Sequence, residues 1–288
     1  MNQRIRTDLA MENPALSTQN LKGIEQNIKI EEGMTITQIR IKSDEAAKAL
    51  SKPCGVYTTL ETDSLKGFSK NFEGEIEVIA NHLKEMLPQN GTVLVVGLGN
   101  ADITPDAVGP KTVEGILATR HLMGGIAESI GLSSLRSVAA AIPGVLGQTG
   151  IETAEIIQSL CKEIHPAAVI VIDALAARSL GRLGKTIQIS DAGISPGSGV
   201  QNQRKEISSK TLNLPVIAVG VPTVVDMATI VYDLLEQPNS IPKEAETMMV
   251  APREIDKMVL QTAKLLSGGI NRALQPDLSM EEIITLTS

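Results

Sequence analysis

Two aspartates in this chain stand where a carboxyl group can do work. Asp173 closes the apolar run of Val169-Ile-Val-Ile-Asp-Ala-Leu-Ala-Ala-Arg178, a setting in which desolvation raises a carboxyl pKa. Asp106 follows Pro105 and precedes the helix start at Gly109-Pro110, where the helix dipole favours the ionised form. Two carboxyl groups in unlike surroundings are what acid–base hydrolysis requires, one ionised to activate water and one protonated to donate to the leaving group. The same residues admit a plainer reading, with Asp106 capping a helix and Asp173 pairing with Arg178.

A third segment, Gln188-Ile-Ser-Asp-Ala-Gly-Ile-Ser-Pro-Gly-Ser-Gly199, is a turn-rich loop whose glycines permit close approach of a bound chain. Ser195, Gly197, Ser198 and Gly199 in it, with Asn100 and Arg178, are candidates for positioning substrate; a loop of this composition with no role is the alternative. Gly97-x-Gly99 resembles the start of a dinucleotide fingerprint, but Asp102 occupies the third glycine position and would repel a pyrophosphate. His82, His121 and His165 lack metal-binding spacing. There is no Gly-x-Ser-x-Gly elbow and no Asp-Thr-Gly or Asp-Ser-Gly tripeptide.

The elements that must hold these residues follow from periodicity. Alternation predicts strands over Met34–Lys42 and Gly55–Glu61, and helical spacing of Ile76, Ile79, Leu83 and Met86 predicts a helix over Glu73–Leu87. Short apolar runs at 93–96, 137–142, 168–172, 186–189 and 216–221 mostly alternate with helical segments at 111–121, 152–164 and 174–180. This pattern predicts an α/β fold, a mainly parallel sheet with helices on both faces. A last helix is expected over Arg253–Leu274, loosened at its end by Gly268-Gly269, and residues 1 to about 30 read as a loosely held polar arm. A boundary near residue 90 separates an N-terminal elaboration (9–90) from an α/β core (91–288).

Composition narrows the function. Of 288 residues 42% are hydrophobic and only 1% aromatic, so the core is aliphatic and stacking platforms for single-stranded nucleic acid are lacking. The formal charge of −7 gives no basic footprint for DNA or RNA. Cys54 and Cys161 lie far apart, the apolar runs are only strand-length, and no apolar leader is read at the N-terminus. These point to a reducing cytoplasm without a membrane span.

At these residues the chain resembles the germination protease family of spore-forming bacteria. The matching segments include Val95-Val-Gly-Leu-Gly-Asn100, Ile103-Thr-Pro-Asp-Ala-Val-Gly-Pro-Lys111, Ile142-Pro-Gly-Val145, Thr149-Gly-Ile-Glu-Thr153, Ile172-Asp-Ala-Leu-Ala-Ala-Arg178, Ile187-Gln-Ile-Ser-Asp191, Ser195-Pro-Gly-Ser-Gly-Val200 and Val221-Pro-Thr-Val-Val-Asp226. The resemblance implies a fold related to the hydrogenase-maturation proteases and a catalytic pair at Asp106 and Asp173. It implies a homotetramer made as a zymogen in the forespore, kept in the spore core, and acting on small acid-soluble spore proteins. Family substrates are cut after the first acid of a pattern like Glu-aliphatic-Ala-x-Glu. Asp8-Leu-Ala-Met-Glu12 has that pattern, so the resemblance places self-cleavage between Asp8 and Leu9, with 1–8 as propeptide. The related maturation proteases bind nickel through a Glu, an Asp and a His. No matching His is found here, so neither metal nor cofactor is expected. The chain departs from better-known members in carrying little between Leu235 and Met249, and Asp102 adds a carboxylate beside the site. A metal-dependent maturation-type endopeptidase and a non-catalytic nucleotide-binding module are the alternative readings.

Overall fold

The computed structural model describes residues 7–18, 22–63, 65, 67, 71–123, 135–197, 204–235 and 242–287. Its strands are β1 (Ile24–Glu31), β2 (Met34–Ile41), β3 (Gly55–Glu61), β4 (Val93–Gly97), β5 (Val138–Ala141), β6 (Ala168–Ala177), β7 (Thr186–Ser190), β8 (Val216–Asp226) and β9 (Met249–Val250). They form one sheet in the order β1-β2-β3-β7-β8-β6-β4-β5, with β9 beside β8. The strands β5, β4, β6 and β8 are mutually parallel, while β7, β3, β2 and β1 continue the sheet antiparallel. The α/β architecture is the expected one, and the sheet is mixed: the N-terminal strands are hydrogen-bonded into it through β3 and β7.

Among the helices are α1 (Asp44–Leu50), α2 (Phe72–Met86), α3 (Val108–Glu114), α4 (Thr153–Ile164), α5 (Met227–Leu234), α6 (Ile255–Leu274) and α7 (Met280–Thr287). Side chains alternate along a strand, and the central strands use both sides. Val93 and Val95 of β4, with Ile170 and Ile172 of β6, join one core with Ile76, Ile79, Leu265 and Leu266 of α2 and α6. Leu94, Val96, Val169 and Val171 join a second core with Ile157 of α4. Burial on both faces explains why these strands read as unbroken apolar runs. Asp173 has the parity of Val169 and Val171, so it emerges on the α4 side.

Three local expectations are corrected. Residues 174–177 are not helical but continue β6, paired with Val221–Val225 of β8 across a bulge between Leu175 and Ala176. Pairing with a long neighbour strand overrides the helical preference of an Ala-rich stretch. Gly268 and Gly269 do not loosen α6. A Cβ on either would meet Ile76 or Ile79 within 2.8 Å, so they let α6 approach α2 closely. The polar arm is not loosely held throughout: it holds β1, an edge strand mostly exposed on both faces, and a segment at residues 7–13 docked at the cleft described next.

Candidate active site

The carboxyl ends of the parallel strands open onto a cleft of about 1320 Å³ lined by Asp8, Leu9, Lys52, Asn100, Asp106 and Asp173 among others. Asp106 reaches it through a tightly built turn. After β4 the chain passes Gly99 at φ +107°, where a Cβ would lie 2.0 Å from the Asp106 carbonyl oxygen. A short 3₁₀ turn, Thr104–Asp106, follows, with Pro105 inside it. Gly97 and Gly109 are equally close-packed: a Cβ on Gly97 would sit 2.4 Å from the Gly109 carbonyl. The Gly-x-Gly pair therefore serves the approach of β4 to α3. Asp106 does not cap α3, whose N-cap is Ala107; its Oδ2 accepts from the Asn100 N–H at 2.7 Å. Asn100, expected to position substrate, thus also holds Asp106, and its Oδ1 accepts from Gln148 Nε2 at 2.9 Å.

Asp173 is 5% exposed, and its Oδ1 accepts from the Ala174 N–H at 3.0 Å. Burial first, then the Asp106 and Asp8 carboxylates, push its pKa well above the carboxylate range. Burial also raises Asp106, but the Asn100 N–H opposes it. Of the two, Asp173 is pushed up further, because burial and both neighbouring carboxylates act on it while the Asn100 N–H holds Asp106 back. Asp102 is exposed and is not among the residues lining the cleft.

The chain's own residues 8–12 dock alongside the cleft, with Asp8 and Leu9 in its lining. Leu9 is fully buried against Leu175, Ala177, Leu183 and Val225. Gly220 leaves the space that the Leu175 side chain fills. Ala10 packs with Ile39, Leu50 and Tyr57, where a larger side chain would meet a closed wall. The Glu12 carboxylate accepts from the N–H groups of Arg178 at 2.7 Å and Ser179 at 2.9 Å, and from the Thr7 hydroxyl. Arg178 thereby meets the segment through its backbone. Ser195 and Gly197 line the opposite wall; Ser198 and Gly199 lie outside the described residues.

Two residues of the site were not among the candidates singled out in the sequence. Lys52 Nζ donates to the Asp8 carbonyl oxygen at 2.9 Å. Gln188 donates to the same oxygen through Nε2 at 3.3 Å and accepts from the Ala10 N–H through Oε1 at 2.8 Å. Lys52 lies in a polar loop and Gln188 inside a strand; their importance arises only once the distant segment docks between them. Among the described residues, no three His, Cys, Asp or Glu side chains are grouped as a metal site, and no helix is long and apolar enough to cross a membrane.

Comparison with known proteins gives a consistent result. A family model described as germination protease matches residues 4–237. A germination protease of Clostridium perfringens is 41% identical, with 97% of this chain and 98% of that protein covered. One of Caldanaerobacter subterraneus subsp. tengcongensis is 42% identical, with 97% of each covered. The longer one of Priestia megaterium is 44% identical over 81% of this chain and 66% of its own length. Among solved structures, a [NiFe] hydrogenase maturation protease HycI from Thermococcus kodakarensis KOD1 matches 65% of this chain and 96% of that chain at 17% identity, with a TM-score of 0.37.

Proposed function

This chain belongs to the germination protease family, and from that premise we propose that it is an endopeptidase whose carboxyl pair, Asp106 and Asp173, hydrolyses the Asp8–Leu9 bond of its own N-terminus and bonds of the same pattern in small acid-soluble spore proteins. The observation that carries the proposal is the placement of that bond. Asp8 and Leu9 lie in the cleft that both aspartates line, and the Ala176 N–H, three residues beyond Asp173, binds Asp8 Oδ2 at 2.9 Å.

The reaction assigns each carboxyl a task. Asp106, ionised, takes a proton from water as the water oxygen bonds to the Asp8 carbonyl carbon and the carbonyl π pair moves onto its oxygen. Asp173, protonated, delivers its proton to the Leu9 nitrogen as the C–N bond breaks. The products are a new carboxyl terminus at Asp8 and a free amine at Leu9, after which the carboxyl pair exchanges one proton to reset. The acidic residue before the cut is part of the device, since the Asp8 carboxylate is among the charges that keep Asp173 protonated. The following residues give selectivity through an enclosed aliphatic pocket for Leu9, a small one for Ala10, and a pair of backbone donors for the Glu12 carboxylate.

The test is intact mass of the purified chain after incubation at mildly acidic pH. The parent loses residues 1–8, while Asp106→Asn and Asp173→Asn each slow the loss by about 10²-fold or more. Parental rates in both variants would refute the dyad.

A further inference from the structure

The two aspartates leave one charge unattended. When water adds to the Asp8 carbonyl, the oxygen gains negative charge in a cleft that already holds the carboxyl groups of Asp8, Asp106 and Asp173. Asp106 is engaged with the water proton and Asp173 with the leaving nitrogen, so neither can serve the oxygen. Something else must offset that charge, because a desolvated oxyanion among carboxylates is strongly disfavoured.

We infer that Lys52, seconded by Gln188, is the electrophilic half of the site: the Lys52 ammonium and the Gln188 amide are the donors that take up the charge on the scissile carbonyl oxygen. This rests on the reading above that Asp8–Leu9 is the bond cut. Both donors converge on the one oxygen, at 2.9 and 3.3 Å, from elements far apart in sequence. Donors fixed in advance at about 2.7–3.1 Å are what an oxyanion site requires; Lys52 meets that distance and Gln188 stands slightly beyond it, which is why it is the secondary donor. The amide of Gln188 is oriented by its second bond. Its Oε1 accepts from the Ala10 N–H, so Nε2 is the end facing the Asp8 carbonyl, and the side chain brackets the scissile bond.

Lys52 is fixed by the way α1 ends. Ser51 takes the left-handed conformation at φ +50°, the Lys52 N–H returns to the Ala47 carbonyl at 3.1 Å, and Pro53 follows. That is the geometry of a Schellman-type helix stop, which turns the Lys52 side chain from the helix into the cleft. Burial lowers the Lys52 pKa, with the Asp8 carboxylate opposing the shift; a more acidic ammonium is a stronger hydrogen-bond donor. In the reaction Lys52 keeps its proton. No bond to it forms or breaks, and its contribution is that its interaction strengthens as the carbonyl becomes an oxyanion.

The full-length chain carrying Lys52→Met, Lys52→Arg or Gln188→Ala tests this. By intact mass, Lys52→Met releases residues 1–8 about 100-fold more slowly than the parent and Gln188→Ala roughly 5-fold more slowly. Lys52→Arg recovers part of the rate. Two further readouts separate this role from mere docking. In an Asp106→Asn background, adding Lys52→Met moves the ¹³C resonance of the Asp8 carbonyl upfield, while the Leu9 and Ala10 amides stay protected from hydrogen exchange. A parental rate in Lys52→Met overturns the inference. So does a slow Lys52→Met whose Leu9 and Ala10 amides have lost protection, for Lys52 would then only hold the segment. If Asp106→Asn and Asp173→Asn cleave normally while Lys52→Met is slow with its segment docked, the dyad fails and the electrophilic role of Lys52 stands.

Discussion

Ala176 and Asp8 exchange two hydrogen bonds: the Asp8 N–H donates to the Ala176 carbonyl at 2.8 Å, and the Ala176 N–H donates to Asp8 Oδ2 at 2.9 Å. The first is a main-chain bond, as in strand addition; the second reads the acidic side chain. Both occur beside the bulge between Leu175 and Ala176, the kind of irregularity that re-aims backbone groups near active sites. Because Asp173 lies on the same strand, recognition of the acid and placement of the proposed proton donor are built on one rigid element.

The pH dependence of self-cleavage follows from that proximity. The rate rises as pH climbs through the pKa of Asp106, which burial raises against the opposing Asn100 N–H. It falls as pH climbs through that of Asp173, pushed further up by burial, Asp106 and Asp8. The profile is therefore a bell whose limbs belong to the coupled pair. Asp8→Asn removes one of the charges that raise Asp173, and also one that raises Lys52, so its alkaline limb moves to lower pH. Cleavage rates across a pH series for parent and Asp8→Asn check this; an unmoved alkaline limb would dissociate Asp8 from the acid.

Asp173→Asn should be more stable than the parent at high pH. A carboxyl whose folded pKa is raised contributes stability that is fully present below its unfolded pKa and lost as pH rises through the folded one. The asparagine has no such loss. The expected gain is on the order of 1 kcal/mol above neutrality, a rise in Tm of about 2 °C, shrinking to nothing in acid. Thermal melts of both chains across pH measure it, and a constant difference would place the origin elsewhere.

Much of this site was open to sequence reading, and the reasons for the rest are physical. Asp173 carries a local signal, an apolar strand ending in a carboxylate, and Asp106 another in its place between Pro105 and a helix start; the Asp8–Leu9 pattern was legible through the family resemblance. Strands β4, β6 and β8 were legible because burial on both faces leaves unbroken apolar runs. The extension of β6 past Asp173 was not, since Ala-Leu-Ala-Ala favours helix until β8 pairs with it. The contacts of Lys52 and Gln188 with Asp8 were not legible, because they join residues 44 and 180 positions apart in sequence and are made only when residues 8–12 dock.

Glu12 anchors the far end of the docked segment, and its removal should slow cleavage without touching the chemistry. Its carboxylate takes two backbone N–H bonds, from Arg178 and Ser179, and bonds to a charged acceptor contribute about 1.5–3 kcal/mol. Glu12→Ala is expected to cleave on the order of 10-fold more slowly, with the limbs of the pH profile unmoved. Glu12→Gln, which keeps one acceptor, falls between. An Ala variant cleaving at the parental rate would show that the segment is held without the Glu12 carboxylate, by the contacts of Asp8, Leu9 and Ala10.

Gly99 is the position where backbone geometry bears most directly on the proposed base, Asp106. At φ +107° an L side chain is strained, and its Cβ would lie 2.0 Å from the Asp106 carbonyl oxygen and 3.1 Å from the Asp106 carboxyl. The turn cannot yield locally, because the Asn100 N–H that follows is already committed to Asp106 Oδ2 at 2.7 Å. Gly99→Ala should therefore cost about 1–3 kcal/mol of stability and displace Asp106 from the position where it activates water. At a temperature where the variant remains folded, its cleavage rate should fall by about 10²-fold, since displacement of a reacting group by an ångström has that effect. A stability loss of this size with cleavage unchanged would mean that Asp106 need not be held so closely, and would weaken its assignment as the base.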